Sequence, residues 1–138
     1  MKPSELAVDI ELRDFLTGKI LIGTTPLAVY ADGERPSNKI PDDFVEINYN
    51  GDPWSVTDKM SMWRGNLIVS LYCKLNEDSS VKTNRVRKLL EQFDSIINRK
   101  ASEHYFYNLD LNRPITPTTA NLQIGYSATV LNVEWRTL

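Results

Sequence analysis

Residues able to carry chemistry are few in this sequence, and their spacing scatters them. His104 is the only histidine and Cys73 the only cysteine. One thiol makes no internal disulfide, and a zinc cage draws on several Cys and His side chains. Carboxylates stand side by side at Asp42/Asp43 and Glu77/Asp78. General acid–base work needs a desolvated carboxyl with a shifted pKa, and both pairs fall in turn segments, so they read as solvated. Ser79, Ser80 and Thr83 precede a helical pattern. With no Gly-x-Ser-x-Gly elbow and no second histidine, they read as caps and first-turn residues. His104 adjoins Tyr105, Phe106 and Tyr107 in a strand-like run and reads as a packed or edge histidine. Cys73 lies on the apolar face of a strand and reads as a small buried hydrophobe. Gly18 and Gly23 stand apart, without the pattern of a phosphate loop. No catalytic residue, metal site or cofactor is expected.

Two other stretches point to contact surfaces. Pro53-Trp54 is followed by Met60-Ser-Met62-Trp63-Arg64, a concentration of Trp, Met and Arg in a segment that otherwise reads as loop. Such side chains are enriched in protein interfaces, and the alternative is that the segment folds back to cap the core. Lys82, Arg85 and Lys88 recur at spacings of three, with Arg87 and Arg99 nearby; Glu91 and Asp94 dilute the charge. This stripe is either a solvated helix face or a charged protein contact. The candidate interface is therefore Trp54, Met60, Met62, Trp63, Arg64, Lys82, Arg85 and Lys88.

The elements that would position these residues follow from apolar periodicity. Residues 4–17 read as a helix: Ser4 suits the cap, Val8, Leu12, Phe15 and Leu16 share a face, and Gly18 suits the stop. The alternation of Leu6, Val8, Ile10 and Leu12 is the competing strand pattern. Leu27–Tyr30 is a short apolar piece. In Phe44–Tyr49, Val45, Ile47 and Tyr49 alternate with polar residues before the Asn50-Gly51 turn signal. Residues 52–64 read as a loop or hairpin arm. Residues 65–75 are the clearest strand, with Leu67, Val69, Leu71, Cys73 and Leu75 on one face. Residues 81–99 are the clearest helix, with Val86, Leu89, Leu90, Phe93, Ile96 and Ile97 in register and Arg87 four before Glu91. Residues 103–111 and 122–136 read as strands joined by a connection, 112–121, that carries Pro114 and Pro117. In the last strand the apolar phase slips between Val130 and Leu131. A slip of one residue changes face, so either a β-bulge near Val130 or burial on both faces is expected. The order α-β-β-β-α-β-β predicts an α+β fold, a mostly antiparallel sheet with two helices packed on one face.

Composition fits one domain, 1–138, with a core of its own. The chain has 138 residues, 41% of them hydrophobic and 25% charged. A chain of this length buries roughly two-thirds of its unfolded surface. The net charge of −2 lacks the basic excess of a free nucleic-acid binder, so any contact with DNA would come from a local patch. No apolar run reaches the length of a membrane helix, and the first residues lack the apolar stretch of a signal peptide. Synthesis in a reducing cytoplasm, with no membrane partner, is expected.

The layout resembles the tail-terminator (tail-completion) proteins of long-tailed bacteriophages. The resemblance spans nearly the whole chain. It is carried by the N-terminal helix, Val29-Tyr30-Ala-Asp32 leading to Arg35-Pro36, and Phe44-Val-Glu-Ile-Asn with the Gly51 turn. It continues through Leu67–Cys73, the helix from Asn84 to Asn98 and the closing strand ending in Trp135-Arg136. The connection 112–121 and the Trp54/Trp63 segment have no counterpart in the family pattern. The resemblance implies a non-enzymatic virion protein assembled in the host cytoplasm. Six copies would form a ring on the last ring of tail tube protein, halt tube growth and face the head connector, with DNA passing through the lumen. The alternatives are a head-completion or connector adaptor of the same neck, or a small monomeric binding module.

Overall fold

A computed structural model describes residues 7–55, 62–109, 118–119 and 125–138. Ser4, Met60, Pro114 and Pro117 lie outside the described residues. The fold is α+β, as the element order predicts. Helix α1 (Val8–Leu16) is followed by a two-stranded hairpin, β1 (Leu21–Ile22) with β2 (Thr25–Pro26). Then come β3 (Ala28–Tyr30), β4 (Asp43–Tyr49), β5 (Trp54–Ser55) and β6 (Trp63–Lys74). Helix α2 (Thr83–Ile97) leads to β7 (Lys100–Ala101), β8 (Tyr105–Leu109), β9 (Thr118–Thr119) and β10 (Tyr126–Thr137).

The sheet is built outward from its two longest strands. β6 and β10 pair antiparallel in an unbroken register from Tyr126 opposite Lys74 to Arg136 opposite Arg64. β4 and then β5 line the far edge of β6, while β8 and β9 line the far edge of β10. The main path is β3-β4-β6-β10-β8-β7. Only β3 and β4 pair in parallel among the described strands. Residues 31–42 connect them, about the minimum length a parallel crossover needs.

Alternation on these strands sets the two faces. On one face Val45, Ile47, Leu67, Val69, Leu71, Tyr107, Leu131, Val133 and Trp135 are buried. They pack with Val8, Leu12 and Leu16 of α1 and Val86, Leu89, Phe93 and Ile97 of α2 in one cluster. Both helices thus cover the same face. Each fully buried Leu, Ile, Val or Phe contributes about 1.5–3 kcal/mol relative to exposure, so this layer dominates stability. On the other face Phe44, Tyr72 and Tyr126 form a smaller cluster, Phe44 stacking on Tyr72 at 4.8 Å between ring centroids.

The phase slip in β10 is resolved as burial on both faces, without a bulge. Tyr126 and Ala128 serve the small cluster, Leu131, Val133 and Trp135 the large one, and Val130 is 57% exposed. Gly65 lies opposite Trp135 because the indole takes its space. A Cβ there would meet Trp135 Cζ2 at 2.8 Å.

Several expectations need correction. α1 starts at Val8 with Ala7 at its N-cap and no side-chain cap. α2 is likewise uncapped by a side chain. Ser80 instead closes the preceding turn through Asp78 and Asn76, and Ser79 adopts φ 67° within it. Arg87 and Glu91 form no ion pair. In the segment 52–64 the described residues pair as a hairpin's two arms would, Trp54 with Arg64 and Ser55 with Trp63, and Trp63 already belongs to β6.

Candidate interaction surfaces

The most reactive-looking cluster joins α1 to the turn between β7 and β8. Helical geometry turns Glu11 toward that turn. Its Oε1 lies 2.6 Å from His104 Nδ1, and its Oε2 accepts from the His104 N–H at 3.1 Å and from the Ser102 hydroxyl. Ser102 Oγ also meets the Tyr107 hydroxyl at 2.9 Å. Of the packed and edge readings, the structure excludes the packed one: His104 is a turn residue just before β8, with a largely exposed ring. Its hydrogen bond to Glu11 raises its pKa above the ordinary value. Burial pushes the Glu11 carboxyl up, but hydrogen bonds from Ser102 and His104 outweigh it and leave the group lowered. Burial, the largest influence on it, holds the Tyr107 hydroxyl protonated. A serine nucleophile needs its proton taken by the imidazole. Here the carboxylate sits between serine and histidine and engages both, so the cluster clamps helix to sheet and leaves Ser102 unactivated. Around it opens a dish of about 570 Å³, lined by Ile10, Asp14, Phe15, Glu103 and Tyr105 among others.

A second cluster sits where the N-terminal part of α2 meets the rim of the sheet. Asp43 begins β4 with its side chain only 8% exposed, and Arg85 Nη1 reaches its Oδ2 at 3.2 Å. Asp43 is thus not the solvated turn residue the sequence suggests. Asp42 is exposed and pairs with Lys74 at 3.7 Å. Cys73 is buried as expected; burial first, then Asp43, pushes its thiol up to about 12, where it is inert at neutral pH.

The third arrangement is a row of side chains across the helix-free face. Register places Trp54, Arg64, Arg136 and Phe106 abreast on β5, β6, β10 and β8. Arg64 and Arg136 are directly opposite each other, a pairing of like charges that is unfavourable on a sheet. Each guanidinium instead lies over an aromatic ring on its outer side. Arg64 Cζ is 5.4 Å from the Trp54 ring centroid, and Arg136 Cζ is 4.8 Å from that of Phe106. Such contacts contribute about 0.5–1 kcal/mol at exposed sites. Neither arginine pairs with a carboxylate among the described residues. A groove of about 300 Å³ runs along the row, bordered also by Met62, Asn108 and Glu134.

The sequence candidates therefore separate. Trp54, Met62 and Arg64 are exposed and lie together at one end of the open face. Trp63, one residue from Arg64, points the other way and is 4% exposed, part of the main core. This segment follows both readings at once, in alternate residues. Met60 lies outside the described residues. Lys82 and Arg85 are partly buried, Arg85 being held by Asp43, and Lys88 is exposed on α2. The structure does not bring these three to the Trp54 end. Sequence reasoning missed Arg136 and Phe106, because only strand register places them beside Arg64 and Trp54. It also missed Glu11 and Ser102, which join His104 across 93 and two positions of sequence respectively. No family model and no curated protein matches the chain.

Proposed function

We propose that this chain is a non-enzymatic structural protein of a bacteriophage virion, a tail terminator. It forms a ring of six copies that ends tail-tube polymerisation and joins tail to head, with DNA passing through the lumen. The observation that carries the reading is the exposed end of the sheet's second face, over which no helix packs among the described residues. A domain that buries one face under two helices yet leaves Trp54, Met62, Arg64 and Arg136 outside on the other has a surface suited to another protein. A ring arises when unlike surfaces of neighbouring copies meet and the rotation closes. The clusters around His104 and Cys73 fit a structural role, since one lacks a serine–histidine contact and the other holds a protonated thiol. The layout described from the sequence supplies the family.

Electron microscopy of the purified chain, alone and with tail tube protein, tests this. Closed rings of uniform symmetry that cap tube ends are expected. Rings that bind head connector but leave tube growth unchanged would instead make the chain a neck adaptor. A chain that stays solitary at high concentration beside both partners would overturn the ring.

A further inference from the structure

The geometry points to the contact that closes such a ring: the Trp54–Arg64–Arg136–Phe106 row of one copy docks on the dish between α1 and the β7–β8 turn of a second copy. This inference rests on the ring reading and names the two surfaces that reading requires.

The row is basic and aromatic. Its arginines face each other without a carboxylate partner among the described residues, and Trp54 and Met62 are 45% and 40% exposed. Two unpaired guanidiniums held abreast on a rigid sheet are an unfavourable arrangement in isolation, relieved when carboxylates arrive. The dish has the complementary character. Its apolar lining includes Ile10, 43% exposed, together with Phe15 and Tyr105. Its acidic groups are Glu11, Asp14 and Glu103, and the Glu103 side chain is 83% exposed. Arg13 pairs with Asp14, and His104 engages Glu11 and stands 3.9 Å from Glu103. Lys19 stands over the Phe15 ring. Among the described residues that line the dish, three carboxylates stand against one cation, His104.

Placement makes the pair intermolecular. The row lies on the helix-free face and the dish on the side of α1, so the sheet separates them within one copy. They are unlike surfaces, as a head-to-tail ring contact demands. The dish, at about 570 Å³, is large enough to receive an indole and a thioether side chain.

Nucleic acid is the other anion to consider. A phosphate backbone is met by an extended basic track. The neighbouring row here is Asn66, Glu134 and Asn108, which interrupts the charge after two arginines. Compact carboxylates suit the site better than a continuous polyanion.

Charge exchange tests the pairing. Sedimentation velocity on the full chain measures self-association of wild type, Arg64→Glu/Arg136→Glu, Asp14→Lys/Glu103→Lys, and the combination of all four. All four positions are surface residues, and circular dichroism checks each fold. Either pair alone is expected to weaken association about tenfold or more, and the combination to recover most of it, because the charges are exchanged between the faces. Assembly by wild type that survives the arginine reversals would overturn this contact and leave the ring standing. Loss with both pairs and no recovery in the combination would overturn the pairing of these two surfaces. Wild type that never associates would remove the contact and the ring together. Binding of a DNA oligonucleotide that is lost with the arginine reversals, while assembly persists, would assign the row to nucleic acid instead.

Discussion

The two faces of the sheet are made by the same strands and follow different rules. On the helix side, alternate residues of β4, β6, β8 and β10 meet α1 and α2 in one continuous cluster. On the other side, among the described residues, Phe44, Tyr72 and Tyr126 gather into a smaller buried group. Toward the far end of that face lie Asn66, Asn132, Val130, Glu134 and the two arginine–aromatic pairs. Hydrophobic burial fixes the first face and gives the domain its stability. The second face is held in place by the first, so it is free to carry side chains chosen for contact with something else. The difference predicts that substitutions on the helix side change folding and, on the proposed ring reading, that those on the open side change assembly.

The sharpest break would come at Phe93, fully buried between α2 and the sheet. Phe93→Ala removes a large core ring and is expected to cost about 3–5 kcal/mol in urea unfolding. A loss under about 1 kcal/mol would mean that the helix layer does not carry the fold. Next comes Gly65. Alanine there drives a Cβ to 2.8 Å from Trp135 and is expected to cost about 1–3 kcal/mol. Combining it with Trp135→Phe, which withdraws the larger ring system, should cost less than the sum of the two. Strict additivity would show that the contact does not constrain the site. Of similar size is Arg85→Ala, which leaves the nearly buried Asp43 carboxylate without its cation. About 1–3 kcal/mol is expected, with partial recovery in Arg85→Lys.

These positions also mark where the sequence was legible. The Val86–Ile97 periodicity and the alternation of Leu67, Val69, Leu71 and Cys73 gave α2, β6 and the α+β class, because each is a local pattern set by one buried face. Trp63 and Asp43 were harder. Each sits at the start of a strand, where one residue of offset exchanges burial for exposure, and periodicity leaves element ends uncertain. The β10 phase slip carried real information, but choosing between a bulge and two buried faces needed the partner strand. Arg136 and Phe106 join Arg64 only through pairing across distant strands, and Glu11 joins His104 only through packing of α1. No local signal encodes such pairings.

The Glu11–His104 clamp is a smaller effect, and its sign is set by the two groups. His104 has its pKa raised above 6.5 by its hydrogen bond to Glu11, so its contribution is complete below pH 6.5 and is lost as pH rises through the higher folded value. The Glu11 carboxyl is partly buried, which pushes its pKa up, but hydrogen bonds from Ser102 and His104 leave it below 4.5. Its contribution is complete above pH 4.5 and is lost as pH falls through the lower folded value. The clamp is therefore strongest between pH 4.5 and 6.5. Urea midpoints of wild type and His104→Gln should differ most in that window and converge as pH rises through the higher folded value of His104. A difference that grows steadily with pH would place the stabilising partner elsewhere.

The smallest expected change isolates the comparison on a single strand. Val130 and Val133 are both in β10, three residues apart and on opposite faces, 57% and 0% exposed. Threonine keeps the β-branch that suits a strand, so the substitution changes little except one methyl for a hydroxyl. At Val133 that hydroxyl enters the apolar cluster with Leu131 and Trp135, and leaving it unpaired there costs about 1–3 kcal/mol. At Val130 it meets water, and the unfolding free energy should stay within about 0.5 kcal/mol of wild type. Equal destabilisation at the two sites in the isolated chain would mean that the open face is already covered. Equal indifference would mean that the helix face is not packed. Only an unequal result leaves the two faces as different as their burial makes them.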